Sequence, residues 1–261
     1  TYSQISTVTP KPFVKWAGGK RQLIPTLNEN LPKTFGTYYE PFLGGGALLF
    51  HILAERNAQK CSISDLNSDL VLTYTAIRNR IDELISSLKS HEKNYQKDSK
   101  SYYYSVRESN PRSEIEKTSR LLFLNRTCFN GLYRVNSKGK FNVPLGSYTN
   151  PNIVNEENLR SVSAILQSSK VAIKCRDFES VLRDAKKGDL VYFDPPYQPV
   201  SETANFTSYT NKSFTYDDLN RLAELCMKLD SKGCKVLLSN SDSKEVAEIF
   251  SNKSWKINRI R

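Results

Sequence analysis

Leu190-Val191-Tyr192-Phe193-Asp194-Pro195-Pro196-Tyr197 is the stretch that decides how this chain is built. Four consecutive apolar residues with no alternation read as a strand covered on both faces, which is the habit of a parallel sheet. Pro195 and Pro196 have no N–H to continue a ladder, so the strand stops there. It delivers a carboxylate, two stiffened peptides and a flat ring to the carboxyl edge of the sheet, where open α/β sheets hold their ligands. The set suits a planar group that carries an amine. The Asp194 carboxylate and a backbone carbonyl can accept its N–H bonds, and the Tyr197 ring can stack on its face.

Further short runs at 37–42, 61–64, 171–175 and 235–239 read as partner strands. Most are followed by helical patterns, such as 217–229 with Leu219, Leu222, Ala223, Leu225 and Cys226 on one side. Alternating strands and helices predict an α/β fold with a doubly wound, Rossmann-like sheet. Residues 78–160 break the rhythm. They read as an inserted, mainly helical segment, with one helix over 115–125 and a β-hairpin whose arms, 133–135 and 140–143, flank the turn Asn136-Ser137-Lys138-Gly139. The predicted division is a catalytic domain from 1–77 and 161–261 and a recognition domain from 78–160. Residues 255–261 read as one more strand, and a sheet of this kind is expected to continue beyond it.

The chain has 261 residues with 38 basic and 27 acidic side chains, a net charge of +11. That excess points to a polyanionic partner, the alternative being a basic but inert surface. It is concentrated in the middle: 78–160 contains 15 basic and 9 acidic residues, and 117–155 holds Lys117, Arg120, Arg126, Arg134, Lys138 and Lys140 with no acid at all. Phe123, Phe129, Tyr133, Phe141 and Tyr148 are interleaved with these cations, a mixture suited to contacts with both phosphates and bases. Five cysteines without a C-x-x-C pair read as thiols of a reducing compartment, and two histidines make a histidine-based metal site a poor expectation. No apolar stretch is long enough to span a bilayer, and Thr1-Tyr2-Ser3-Gln4 lacks a secretory pattern. The start also lacks a methionine, so a trimmed N-terminus is expected.

Two loops precede the strand at 190–193. Tyr39-Glu40-Pro41-Phe42-Leu43-Gly44-Gly45-Gly46 lets the backbone approach a ligand and turn into a helix near Ala47. Asp65 follows Gly44 by 21 residues, a spacing that suits a ribose contact; the alternative is a helix N-cap for 66–72. Trp16-Ala17-Gly18-Gly19-Lys20 lacks the spacing of a phosphate loop, yet it can cradle a small carboxylate with Lys20 as counter-charge and Trp16 as an apolar wall. Its alternative is a core tryptophan beside a solvated lysine.

Taken in order, Phe13-Val14-Lys15-Trp16-Ala17-Gly18-Gly19-Lys20, Glu40-Pro41-Phe42-Leu43-Gly44-Gly45-Gly46, Asp65-Leu66-Asn67-Ser68-Asp69-Leu70, Asn130-Gly131-Leu132-Tyr133-Arg134, Phe141-Asn142-Val143-Pro144, Asp194-Pro195-Pro196-Tyr197 and Ala204-Asn205-Phe206-Thr207-Ser208-Tyr209 resemble the motifs of the Dam-type, α-group DNA adenine-N6 methyltransferases. The resemblance spans about residues 12–245. It implies S-adenosyl-L-methionine as methyl donor, double-stranded DNA as partner and base flipping to expose the adenine. It implies no metal and no membrane, and a monomer or weak dimer in the cytoplasm of a prokaryotic cell or phage-infected host, acting alone or beside a cognate restriction endonuclease.

Carried over by position, Asp194, Pro195, Pro196 and Tyr197 are the catalytic set. Trp16, Gly18, Lys20, Glu40, Pro41, Phe42, Gly44, Asp65 and Asp194 line the cofactor, with Asp177 and Phe178 against its adenine. The bland reading of that last pair is a helix cap and a core aromatic. Arg126, Phe129, Asn130, Leu132, Arg134, Asn142, Pro144, Ser147 and Tyr209 fall at DNA-contacting positions, with Arg134 matching an arginine that reads guanine. Members that recognise GATC usually carry Gly-Arg-Tyr after Phe-Asn-Val-Pro. Here the run is Pro144-Leu145-Gly146-Ser147-Tyr148, so serine replaces a second guanine-reading arginine. GATC or a related short site is the expected target. The competing readings are methylation of RNA or of a protein glutamine, and a DNA-binding protein without methyl transfer.

Overall fold

The computed structural model describes residues 9–16, 18–56, 60–197, 214–251 and 255–260. Five parallel strands form one sheet: β1 (Tyr38–Glu40), β2 (Lys60–Asp65), β3 (Lys170–Cys175), β4 (Leu190–Phe193) and β5 (Lys235–Leu238), in the order β3-β2-β1-β4-β5. This is the α/β, doubly wound, Rossmann-like sheet expected. In register, Tyr38 lies beside Cys61 on one flank and Leu190 on the other. The strand at 190–193 has the predicted limits, and all four of its residues are buried.

Helices cover both faces. They are α1 (Ile24–Asn30), α2 (Ala47–Glu55), α3 (Ser68–Asn79), α4 (Ile81–Lys97), α5 (Ser99–Glu108), α6 (Glu114–Thr127), α7 (Glu156–Ser168), α8 (Val181–Asp184), α9 (Tyr216–Ser231) and α10 (Lys244–Ile249). Local chemistry sets several of their starts. Ser113 and Glu116 form a capping box on α6, and Thr215 and Asp218 form one on α9.

The period of two along each strand divides the core. Tyr38, Leu190 and Tyr192 belong to one buried cluster with α2, α3 and α7, whereas Tyr39, Val191 and Phe193 belong to a second with Phe178, Val181 and Leu222, Leu225 and Leu229 of α9. The helices α4, α5 and α6 do not make a separate core. Leu84, Leu88, Tyr103 and Phe123 join the same cluster as Tyr38 and Tyr192. Phe123 is the pivot, packed face to face with His91 at 4.9 Å and edge-on to Tyr95 and Tyr102 at 5.7 and 5.6 Å.

The expected hairpin at 133–143 is present and short: Val135 and Phe141 form an antiparallel bridge, Asn136 N–H donates to the Lys140 carbonyl at 2.9 Å and Asn142 N–H to the Arg134 carbonyl at 3.1 Å. The Asn136 carboxamide takes the N–H groups of Lys138 and Lys140 and so fixes the turn. One expected strand does not form. Residues 255–260 are not a strand. Trp255 packs edge-on against Phe250 at 5.3 Å, and Asn258 and Arg259 spend their side chains on Asn30 and Asp242. An apolar alternation becomes a strand only when its backbone finds an edge to pair with.

Among the described residues no helix is long and apolar enough to cross a membrane, and no three His, Cys, Asp or Glu side chains gather as a metal site. All five cysteines are free thiols, with only Cys175 exposed.

His91 adds a pH dependence. Burial against Phe123 lowers its pKa to about 4, and its Nδ1 lies 2.8 Å from the Tyr102 hydroxyl. The unfolded chain therefore binds this proton first, and folding stability falls as pH drops from about 6.5 towards 4. Between pH 7 and pH 5 the His91 contribution is a loss of about 1–2 kcal/mol. His91→Gln should flatten this slope in urea unfolding series at the two pH values; an unchanged slope would remove His91 from the account.

Candidate active site

The strand order reverses about β1, with β2 on one side and β4 on the other. The carboxyl ends of β1 and β4 meet at this switch point, the place where open α/β sheets hold their ligands. After β1 the chain turns through Gly44 (φ +48°) and Gly46 (φ +68°) into α2. A Cβ on Gly44 would lie 3.1 Å from Trp16 Cδ1, and one on Gly46 would meet the Tyr74 hydroxyl. Only glycine allows both the left-handed backbone and these approaches. The Tyr74 hydroxyl holds the turn by donating to the Gly44 carbonyl at 3.2 Å.

Asp65 closes the turn from β2. Its carboxylate accepts the Gly44 N–H at 3.1 Å and the Asn67 N–H at 2.9 Å. Burial raises its pKa, with those backbone N–H bonds working against the shift. The cap of α3 is Asn67, whose side chain accepts the Leu70 N–H, so the N-cap alternative for Asp65 fails.

Asp194 leaves β4 at the centre of the same edge. Lys20 reaches it at 2.9 Å, and that lysine is only 6% exposed. The ammonium also donates to the Gly18 carbonyl at 2.7 Å and sits 4.5 Å from the Tyr197 ring centroid. Burial raises the Asp194 pKa to about 6, with the adjacent Lys20 charge pulling it back down. Burial disfavours the Lys20 cation as well, but Asp194 and Tyr197 together outweigh it and the lysine pKa ends above its ordinary value. Lys20, expected as counter-charge for a bound carboxylate, has Asp194 as its charged partner in this structure. The Tyr197 ring is 45% exposed above this pair. Pro195 is buried and Pro196 exposed.

Three more of the expected contact residues have partners within the fold. Glu40, 2% exposed, points into the sheet face and accepts the Tyr38 hydroxyl at 2.7 Å, because residues two apart on a strand share a face. Burial pushes its pKa up to about 8. Pro41 beside it is buried as well. Phe178 is a core aromatic, stacked on Phe42 at 5.1 Å with the Arg221 guanidinium 5.0 Å from its ring. Asp177 caps the short helical turn Phe178–Ser180 and pairs with Arg221. The bland reading of this pair describes their positions.

The expected DNA-contacting residues separate into two groups. Phe129 (48% exposed), Asn130 (φ +54°), Pro144 and Ser147 lie exposed on two loops. The loops are tied by Phe129 N–H to Pro144 O and Gly146 N–H to Thr127 O, both at 2.9 Å. Leu132 is half-buried beside them. Arg134 is braced by Asn142, donating Nε to Oδ1 at 2.8 Å and Nη2 to the carbonyl at 3.3 Å. Arg126 departs from expectation: burial lowers its pKa, and Nη2 donates to the Phe13 carbonyl at 2.8 Å, so it ties the fold together. Tyr209, with the whole run 204–209, lies outside the described residues.

Residues that the sequence reading passed over complete the site. Tyr74 supports the glycine turn. Lys15 Nζ donates to the Tyr148 hydroxyl at 3.1 Å, beside Ser147. Nothing local marks either one, since their partners are distant in sequence.

Comparison with known proteins agrees with this geometry. The family model of D12 class N6 adenine-specific DNA methyltransferases matches residues 16–260. The chain is 43% identical over 263 residues to the type II methyltransferase M1.LlaDCHI of Lactococcus lactis subsp. cremoris, covering 98% of this chain and 89% of that one. It is 46% identical over 245 residues to the type II methyltransferase M.MjaIII of Methanocaldococcus jannaschii, covering 88% and 84%. It is 32% identical over 254 residues to the DNA adenine methylase of Escherichia coli, covering 95% and 87%.

Glu40 yields a stability test. Its folded pKa, about 8, lies above the 4.5 of an ordinary glutamate. Folding stability from the neutral acid is fully present below pH 4.5 and is lost as pH rises through 8. Glu40→Gln copies the neutral acid and keeps an acceptor for Tyr38. It should exceed wild type by only about 1 kcal/mol near pH 5 and by about 4 kcal/mol near pH 8. Equal Tm differences at both pH values would show that Glu40 is charged throughout.

Proposed function

The chain belongs to the D12 class of N6 adenine-specific DNA methyltransferases, and on that premise we propose that it transfers methyl from S-adenosyl-L-methionine to the N6 of an adenine flipped out of double-stranded DNA. The observation that carries the reading is the half-buried Asp194 held beside Lys20 under an open tyrosine ring, next to the Gly44–Asp65 turn.

The residues of the site fit the cofactor. The carboxylate of Asp65 has lone pairs beyond its two backbone bonds, enough to accept a ribose hydroxyl. The Gly44 backbone lies directly against the Trp16 indole, so close that a side chain at Gly44 would push into the ring. Trp16, Gly18, Gly44 and Asp65 would hold the cofactor, which when bound supplies a methyl group on a positively charged sulfur. Phe42 and Phe178 back the pocket as packed aromatics.

Adenine N6 is a poor nucleophile because its lone pair is delocalised into the ring. N–H bonds to the Asp194 carboxylate and the Pro195 carbonyl favour a pyramidal nitrogen whose lone pair points at the methyl group. Only an ionised Asp194 accepts without also presenting a proton, and Lys20 holds it ionised at neutral pH despite burial. Tyr197 offers its exposed face to the flipped base. Catalysis then rests on positioning and fixed charge, with no covalent enzyme intermediate.

We assign residues 78–160 to recognition and the rest to cofactor binding and catalysis. Phe129 and Asn130 would enter the space vacated by the base, and Arg134, oriented by Asn142, would read a guanine O6/N7 edge. GATC or a close relative is the proposed site. Ser147 is exposed where the usual arginine would stand, and a bidentate arginine–guanine contact is worth about 1–3 kcal/mol of discrimination that serine cannot supply. Relaxed choice at that base pair is therefore part of the proposal.

Tritiated S-adenosyl-L-methionine offered with defined duplexes tests the whole reading. Label on N6 of one adenine in a short site is expected, and Asp194→Ala should abolish it while duplex binding persists; no label on any adenine-containing duplex would refute it. The pH profile tests the ion pair separately. For wild type, kcat/KM should fall on the acid side with an apparent pKa of about 6. Lys20→Met removes the charge that lowers the Asp194 pKa, so the acid limb should move up by about one unit or more. An acid limb that stays in place would detach Lys20 from this role.

A further inference from the structure

The run from Phe13 to Lys20 crosses between the two halves of the site, and one side chain grips its middle. Asn125, on α6, is 1% exposed. Its Oδ1 accepts the Lys15 N–H at 2.8 Å, and its Nδ2 donates to the Lys15 carbonyl at 2.8 Å and to the Gly131 carbonyl at 3.0 Å. The carboxamide thus pairs with Lys15 as a neighbouring peptide would, and its second N–H reaches the recognition loop. One amide uses both donors and an acceptor at once, a pattern that fixes which way round it sits. Close packing reinforces the grip. A Cβ on Gly131 (φ +65°) would come within 2.8 Å of Lys15 Cβ.

The two gripped loops carry the two functions. One residue beyond Lys15, Trp16 packs at a tilt against Tyr133 at 5.1 Å, and the Tyr133 hydroxyl donates to Asp69 at 3.3 Å, four residues after Asp65. Five residues beyond Lys15, Lys20 holds Asp194. In the other direction Gly131 lies between the exposed Phe129 and Asn130 and the Arg134 guanidinium.

We propose that Asn125 is a positioning residue for methyl transfer, joining the loop of Trp16 and Lys20 to the loop of Phe129–Arg134 so that cofactor binding and target recognition are coupled. This rests on the function proposed above. A displacement of the recognition loop by DNA is passed through the Gly131 carbonyl and the Lys15 peptide to Trp16 and Lys20. By linkage, cofactor at the far end must alter DNA affinity by the same factor.

The test measures that factor. The Kd of wild type for the duplex it methylates fastest, and for the same duplex with one base pair of the site changed, is taken with and without S-adenosylhomocysteine. The ligand is expected to tighten the preferred duplex by about tenfold and the altered one by less. Asn125→Asp keeps the size and the acceptor for the Lys15 N–H but loses both donations. Assayed well below its Tm, it should bring the factor close to one, raise the KM for cofactor and narrow the gap between the two duplexes together. A residue that only stabilises the fold would lower Tm and leave the factor intact, and that result overturns the proposal. So does a higher cofactor KM with unchanged discrimination. Should Asn125→Asp fail to fold, Tyr133→Leu breaks the parallel Trp16 contact and must also lower the factor; an unchanged factor there overturns the coupling. Wild type that binds no S-adenosylhomocysteine would overturn the function reading and this inference with it, whereas normal methylation with an unaltered factor in the variants overturns the inference alone.

Discussion

A carboxylate taken out of water tends to recover its proton, and the site depends on how this one is kept charged. Asp194 is drawn up towards pH 6 by burial and held there by a lysine that is itself nearly buried. Neither group would be stable in that place alone, since an isolated buried charge costs several kcal/mol. The pair therefore imposes conditions on everything around it. Lys20 must arrive at the carboxyl edge of β4, which needs the turn at Gly18 (φ +75°) whose carbonyl takes another of its N–H bonds. The strand must end at Asp194, which the two prolines ensure.

The same requirement explains why the recognition segment is not an appendage. The loop bearing Lys20 is held from the side of α6, by Asn125 at Lys15 and Arg126 at Phe13. The apolar faces of α4, α5 and α6 share one core with Tyr38 and Tyr192 of the sheet. Because packed interiors are dense and yield little, such a core transmits displacement rather than absorbing it. The segment proposed for recognition and the strand that delivers Asp194 are thus parts of one packed body.

Much of this was legible in the residues. β4 was readable because an unbroken apolar run followed by Asp-Pro-Pro has few other interpretations. The glycine turn was readable because left-handed backbone selects glycine, and Asp65 because its spacing reflects the length of one βαβ unit. The misreadings share a cause. Residues 255–260 carry strand-like composition, but strand formation is decided by partners, and these residues form no strand. Phe178 and Glu40 have the residue types of ligand contacts, yet their exposure depends on what packs over them. Arg126 was read as a surface cation, and the chain's own Phe13 carbonyl claimed it.

The sequence by itself determined the sheet, its catalytic edge and the chemistry of the residues delivered there, because backbone preference, apolar periodicity and turn chemistry act over a few neighbouring residues. Only the tertiary structure decided which charges meet. Lys20 is paired with a carboxylate 174 positions away, and Lys15 is bonded to a carboxamide 110 positions away. Such partnerships are set by where packed elements bring their ends, and a buried charge or amide takes whichever partner the core places within hydrogen-bonding reach.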